Sequence, residues 1–394
     1  MRTDPLAFLG VELQSLKDQN LYRRLRVLDD EQQATARFDG RSVVNLSSNN
    51  YLGLTTHPLL RQRAIEAVER YGAGSGSVRT IAGTMAIHMD LERRLAAFKK
   101  TEAVVVFQSG FAANAGTVSA ILGRDDVIVS DELNHASIID GARLSRASIK
   151  VFPHKDVDAA RKILQDLPAT QKKLLITDGV FSMDGDLGPV AELAALAEEY
   201  GAIMMVDDAH ASGVFGANGR GTIDHFGAHG RVDIQVGTLS KAMGALGGYV
   251  AGSRNLIEFL YHRARPFLFS TSHPPAVAAA CLAALDILEQ EPQLIEQLWD
   301  NTRFFKAGLA ALGFNTGLSE SPITPVIAGE SALAMTLSDR LFEEGVFAQS
   351  IAFPTVARDK ARVRTIVTAT HTRDELQFAL DTFAKVGREL GIIT

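Results

Sequence analysis

Between residues 103 and 251 short apolar runs recur at regular intervals. The stretches 103–107, 127–129, 149–152, 174–176, 203–206, 234–236 and 249–251 read as strands, and amphipathic segments such as 190–200 lie between most of them. Strands that are apolar throughout, each followed by a helix, belong to a parallel or mostly parallel sheet covered on both faces. That arrangement decides where chemistry can sit. Open α/β sheets hold their ligands at the carboxyl ends of the strands, so polar residues directly after a strand are the candidates for a site.

The rest of the chain changes texture. With 394 residues it exceeds what one core accommodates. Residues 6–27 have helical spacing, and 43–46 read as a short strand running into the polar loop Ser47-Ser48-Asn49-Asn50-Tyr51-Leu52-Gly53. From 274 onward longer helices (274–290, 292–312, 331–345 and 373–390) alternate with the apolar runs 324–327 and 363–367. The expected organisation is an N-terminal arm over 1–52, a large α/β domain over 53–285 and a smaller α+β domain over 286–394.

A net charge of −6 with 22% charged residues leaves no basic excess for nucleic acid or an anionic membrane. Cys281 is the single cysteine and sits in an apolar run, which excludes an intrachain disulfide and a cysteine metal cluster; no metal is expected. No apolar run approaches the roughly 18 residues of a membrane span, and Met1-Arg2-Thr3-Asp4-Pro5 lacks the pattern of a signal peptide. A cytoplasmic protein is expected.

Several residues after strands form a chemical set. Lys241 lies in Gly237-Thr238-Leu239-Ser240-Lys241, among small residues after the strand 234–236, an unusual place for a solvated lysine. A lysine partly desolvated in this way is a nucleophile for carbonyl groups, most often as the Schiff base with pyridoxal 5'-phosphate, PLP. A PLP site needs a carboxylate at the pyridine nitrogen, and Asp207-Asp208-Ala209-His210 follows the strand 203–206. It also needs a phosphate cradle at a helix N-terminus, for which Ser109, Gly110 and Phe111 open a helix after the strand 103–107 and Thr238 adds a hydroxyl. His135, after the strand 127–129, is placed to lie over the ring, and Ser182 offers another donor. Arg364, flanked by apolar residues, is the candidate for a substrate carboxylate, with Arg362 as the weaker rival. The glycine-rich run Gly72-Ala73-Gly74-Ser75-Gly76 lacks the Gly-Lys-Ser/Thr of a P-loop and follows a helix, not the strand of a dinucleotide fold, so neither motif is present.

Lys241, Asp207, His210, His135 and the Ser109-Gly110-Phe111 turn together resemble the α-oxoamine synthases, PLP-dependent enzymes of the aspartate-aminotransferase fold (fold type I). The resemblance runs from Asn49-Asn50-Tyr51-Leu52-Gly53 to the tail at 387–393. It is carried by Asn134-His135-Ala136-Ser137-Ile138-Ile139-Asp140-Gly141 and by the segments 178–186 and 207–213. It implies that Lys241 carries the cofactor, that Asp207 meets the ring nitrogen and that His135 stacks on the ring. His210 and Ser182 then hold the ring oxygen or the substrate, Asn49 lines the site, and Arg364 takes the carboxylate of the amino acid. It further implies a homodimer in which Ser270 and Thr271 reach the partner's phosphate. Asp178 stands where some relatives have glutamate. The implied reaction joins a small amino acid to an acyl-CoA, and the resemblance is greatest to the branch using glycine and acetyl-CoA. The alternatives are the decarboxylating branch that makes 8-amino-7-oxononanoate from alanine and pimeloyl-CoA, a promiscuous synthase or, more remotely, an aminotransferase or aldolase on the same fold. A catalytically dead scaffold is disfavoured by the presence of Lys241 with all of its partners.

Overall fold

The computed structural model describes residues 4–19, 21–22, 24–353 and 355–394. They form two compact units, one of residues 49–299 and one of residues 1–48 with 300–394. All seven expected strands are present in one seven-stranded sheet of the first unit. They are β1 (Ala103–Phe107), β2 (Val127–Asp131), β3 (Ser148–Phe152), β4 (Lys173–Asp178), β5 (Ile203–Asp207), β6 (Ile234–Thr238) and β7 (Gly248–Gly252). Their spatial order is β1-β7-β6-β5-β4-β2-β3. The pairs β2/β3, β2/β4, β4/β5 and β5/β6 are parallel. β7 is antiparallel to both of its neighbours. The sheet is therefore mostly parallel, with one reversed strand.

Alternation along the strands fills both faces. Ile128, Leu174, Ile176, Met205 and Val236 pack on one side with Ala113, Val118 and Ile138 of the covering helices. Val129, Leu175, Met204 and Val206 point to the other, against Leu193, Leu196 and Ala197. Each such aliphatic side chain contributes about 1.5–3 kcal/mol when fully buried. β7 brings the first turn of the helix Gly110–Ile121 unusually close: a Cβ at Gly248 would lie 2.4 Å from the Gly110 amide nitrogen. Glycine is required there, and the contact fixes the start of that helix against the sheet.

The second unit holds a three-stranded antiparallel sheet of Ile323–Gly329, Ala361–Ile366 and Gln349–Ile351 in that order. A second small sheet joins Thr35–Phe38, Arg41–Asn45 and Val346–Phe347, the last pair parallel. Val44 and Leu46 lie in the same core as Phe305, Val326, Leu337, Val363 and Phe383. Sequence spacing separates 1–52 as an arm, whereas residues 35–48 are part of this unit through a pairing across some three hundred positions that local patterns do not record. The division between the units falls inside the helix Gln293–Ala311, not at 286. Of the expected helix over 6–27, the described residues form one at Phe8–Asp18. Among the described residues no helix is long and apolar enough to cross a membrane.

Beneath the turn that follows β5 lies a buried ion pair. Lys99 and Asp208 have fully buried side chains, and Lys99 Nζ donates to Asp208 Oδ2 at 3.1 Å and to the Arg220 carbonyl. Asp208 Oδ1 accepts from the backbone N and the hydroxyl of Thr222, and the Asp208 amide donates to the Val236 carbonyl. Removing one member of such a pair leaves an uncompensated charge and costs about 3–5 kcal/mol. Lys99→Met is expected to lower the denaturant midpoint by that measure, and Lys99→Met/Asp208→Asn to recover much of it; equal midpoints for wild type and Lys99→Met would contradict a structural charge pair.

Candidate active site

The carboxyl ends of five strands converge on a cavity of about 180 Å³. Ser109, Gly110 and Phe111 reach it from the end of β1, His135 from the loop after β2, and Asp178 from the last position of β4. Asp207 and His210 come from the end of β5, and Thr238 and Lys241 from the end of β6. Eight of the residues expected from sequence thus share one wall-to-wall space: Lys241, Asp207, His210, His135, Thr238, Ser109, Gly110 and Phe111.

The pairing register of β4 and β5 sets Asp178 opposite Asp207. Burial and the neighbouring charge of Asp207 hold the Asp178 carboxyl well above the usual carboxylate range. The Asp178 Oδ1 is buried without a hydrogen-bond partner among the described residues. Asp207 is stabilised as an acceptor: Asn114 Nδ2 donates to Oδ2 at 2.5 Å, and the Ala209 amide donates to Oδ1 at 2.8 Å.

Asn114 extends the set. Its Nδ2 also donates to Ser137 Oγ at 2.9 Å, and Ser137 Oγ lies 2.7 Å from His135 Nδ1. His135 is the N-cap of the helix Ala136–Ser145, where Nδ1 accepts from the Ser137 amide at 3.2 Å. An accepting Nδ1 places the proton of the neutral ring on Nε2. Burial lowers the His135 pKa below its usual value, against the pull of Asp207 and together with the charge of Lys241. The imidazole is thus kept neutral and its ring plane anchored. His210 is held from the other side, with Nδ1 at 2.7 Å from Tyr51 OH in a buried contact.

The helix Gly110–Ile121 presents its N-terminus to the cavity. Ser109 caps it, Oγ accepting from the Ala112 amide at 3.1 Å. A Cβ at Gly110 would lie 3.4 Å from Thr238 Cβ, so the first amides of the helix and the Thr238 hydroxyl are side by side. Thr238 Oγ1 donates to the Gly247 carbonyl and is 2.8 Å from Ser240 Oγ. Amides at a helix start beside two hydroxyls are the donor set a phosphate monoester takes, and an amine with a stabilised carboxylate is the set a pyridine aldehyde takes. The residues present therefore fit PLP.

The remaining expected residues lie elsewhere. Ser182 is in the half-buried turn after β4, and Asn49 is half-buried with its Oδ1 unbonded among the described residues. Thr271 is exposed and bridges Val78, with Ser270 beside it. Arg364 belongs to the other unit, on the strand Ala361–Ile366 opposite Pro325 and Gln349. Sequence reasoning missed Asn114, Ser137, Tyr51 and Ser240. Asn114 stands one helical turn beyond Gly110, and Tyr51 lies in the polar loop after the strand Arg41–Asn45, so both carried a positional signal but no motif chemistry of their own.

A lysine amine, a held carboxylate and a helix-start anion cradle at the strand ends of a mostly parallel seven-stranded sheet define an enzyme of PLP fold type I. Residues 41–383 match the family of class I and II aminotransferases. The chain is 62% identical to the 8-amino-7-oxononanoate synthase of Symbiobacterium thermophilum, covering 98% of this chain and 99% of that one. It is 54% identical to 8-amino-7-oxononanoate synthase 1 of Bacillus subtilis, covering 99% and 100%. Among solved structures, a serine palmitoyltransferase from S. paucimobilis described with PLP and myriocin bound superposes with a TM-score of 0.94 at 32% identity, covering 99% and 100%. The chain belongs to the class I and II aminotransferase family and, within it, to the α-oxoamine synthases.

The two acids make opposite predictions. Asp178→Asn replaces a carboxyl held well above the usual carboxylate range by its neutral isostere and is expected to leave the turnover rate within about tenfold of wild type. Asp207→Asn removes the carboxylate that accepts from Asn114 and Ala209 and is expected to cost at least about 100-fold, the scale of losing a positioned catalytic group. Steady-state rates of the two purified variants decide it, and comparable losses for both would show that Asp178 works as an anion.

Proposed function

We propose that this chain is a PLP-dependent 8-amino-7-oxononanoate synthase, joining alanine to a pimeloyl thioester with release of CoA and carbon dioxide. The observation that carries the reading is the convergence of Lys241, Asp207, His135 and the Gly110 helix start in one cavity of a chain similar over nearly its whole length to proteins of that name. This replaces the glycine and acetyl-CoA pairing expected from sequence, which neither relative's name supports.

Roles follow from the chemistry of each group. When bound, PLP supplies an electron sink conjugated to the amino-acid Cα. The Gly110 and Phe111 amides with Thr238 and Ser240 would take the phosphate, and Asp207 would hold a proton at the ring nitrogen. Neutral His135 covers the ring face, while His210 and Ser182 serve the ring oxygen or the substrate. Lys241 Nζ would hold the cofactor through its carbonyl carbon, and the same amine, when free, would be the base that takes the substrate's Cα proton. Arg364 receives the alanine carboxylate and Asn49 borders the substrate. The active form is a homodimer in the cytoplasm, with Ser270 and Thr271 directed to the partner's cofactor phosphate.

Free-thiol release by PLP-loaded protein, crossing alanine and glycine with pimeloyl-CoA and acetyl-CoA, tests the assignment. Alanine with pimeloyl-CoA is expected to be the fastest pair; a preference for glycine with acetyl-CoA would return the chain to the non-decarboxylating branch, and no thiol release from any pair would favour an aminotransferase or aldolase. Lys241→Ala is expected to abolish the borohydride-reducible visible band along with turnover.

A further inference from the structure

The turn after β3 sets His154 between two carboxylates. Its Nδ1 lies 3.1 Å from Asp131 Oδ1 and its Nε2 lies 2.9 Å from Asp186 Oδ2. The Asp131 and Asp186 side chains are only 0% and 8% exposed, so water does not replace these contacts. Ionised carboxylates only accept hydrogen bonds, and a neutral imidazole has one donor and one acceptor nitrogen. Both contacts are satisfied together only when both ring nitrogens carry protons.

The other groups facing His154 reinforce the arrangement. The Lys155 amide donates to Asp131 Oδ2 at 2.8 Å, and Lys155 Nζ donates to Asp186 Oδ2 at 3.1 Å. The Leu133 amide donates to Asp131 Oδ1, and the His154 amide donates to Glu132 Oε1. The imidazole meets the Phe181 ring edge-on with centroids 4.4 Å apart. Asp131 begins the loop that ends in His135, and Asp186 closes the segment that brings Asp178 and Val180 to the cavity.

We propose that His154 is a positioning residue, held as an imidazolium, that clasps the 131–137 loop to the 178–188 segment and thereby keeps His135 and Asp178 in the cavity wall. Burial alone would lower its pKa, but the hydrogen bonds and charges of Asp131 and Asp186 raise it to about 9. The clasp is therefore fully present below the ordinary histidine value of 6.5 and is lost as pH rises through about 9. Its consequence for PLP rests on the cavity being the cofactor site, whereas the clasp itself does not.

The wild type, two variants and three readouts test it. Histidine NMR of the wild type is expected to show His154 charged at neutral pH and titrating near 9. Hydrogen exchange of 178–188, corrected for the intrinsic rate, is expected to accelerate over the same range. His154→Gln, neutral at all pH, is expected to show fast exchange already at neutral pH and PLP binding weakened by about tenfold, the scale of losing a supporting partner. His154→Arg keeps the positive charge and is expected to exchange slowly and bind PLP without the step near 9. A His154 that titrates at or below its ordinary value overturns the proposal. So does a His154→Gln protein whose exchange and PLP affinity match wild type. If His154→Gln does not fold, the wild-type titration and exchange decide alone. If the wild type binds no PLP, the functional reading fails while NMR and exchange still judge the clasp.

Discussion

Placing two carboxyl groups side by side in the interior is the constraint from which the site is built. Asp178 and Asp207 end adjacent parallel strands in register, so neither side chain can avoid the other. Two buried like charges at such a distance are prohibitively costly, and the protein resolves the conflict asymmetrically. The Asp178 carboxyl is held well above the usual carboxylate range, while Asp207 receives a side-chain amide from Asn114 and a backbone amide from Ala209. The acid proposed to meet the cofactor's ring nitrogen is thus the one given donors. Lys241, whose charge acts on both His135 and Asp178, completes the local balance.

Support for this arrangement reaches the cavity through side chains with no direct role in the reaction. Asn114 couples Asp207 to Ser137 and through it to His135, so the acid and the ring-facing imidazole are oriented by one amide. Tyr51 fixes His210, and the Lys99–Asp208 pair anchors the turn on which both Asp207 and His210 stand. Catalytic groups held to tenths of an ångström need such a layer, because a loosely held base or acid loses most of its effect. Placing the supporting residues on the covering helices and on the strand-end turns lets the sheet itself act as the rigid reference.

Local pattern made much of this legible. The seven strands were readable because buried parallel strands are apolar throughout, and the cavity residues because each chemical group follows a strand directly. The role of residues 35–48 was not readable: Val44 and Leu46 form a short apolar run whose partners, Val346 and Phe347, are distant in sequence. Asn114 was hidden for a different reason. An asparagine inside a helix is unremarkable until the helix is seen to begin at the cavity and the neighbouring acid is known to be buried.

The substrate was the least legible feature, and energetics explains why. The roles proposed for the cavity residues are cofactor binding and proton transfer, which do not depend on the acyl group. Discrimination between glycine and alanine rests on room for one methyl group, worth about 1–3 kcal/mol in an apolar pocket. Such a pocket is made by shape and needs no titratable or hydrogen-bonding residue, so it leaves no motif at fixed spacing. A chain can therefore declare its cofactor through Lys241, Asp207 and the Gly110 helix start while its acyl donor is legible only from similarity along the whole sequence.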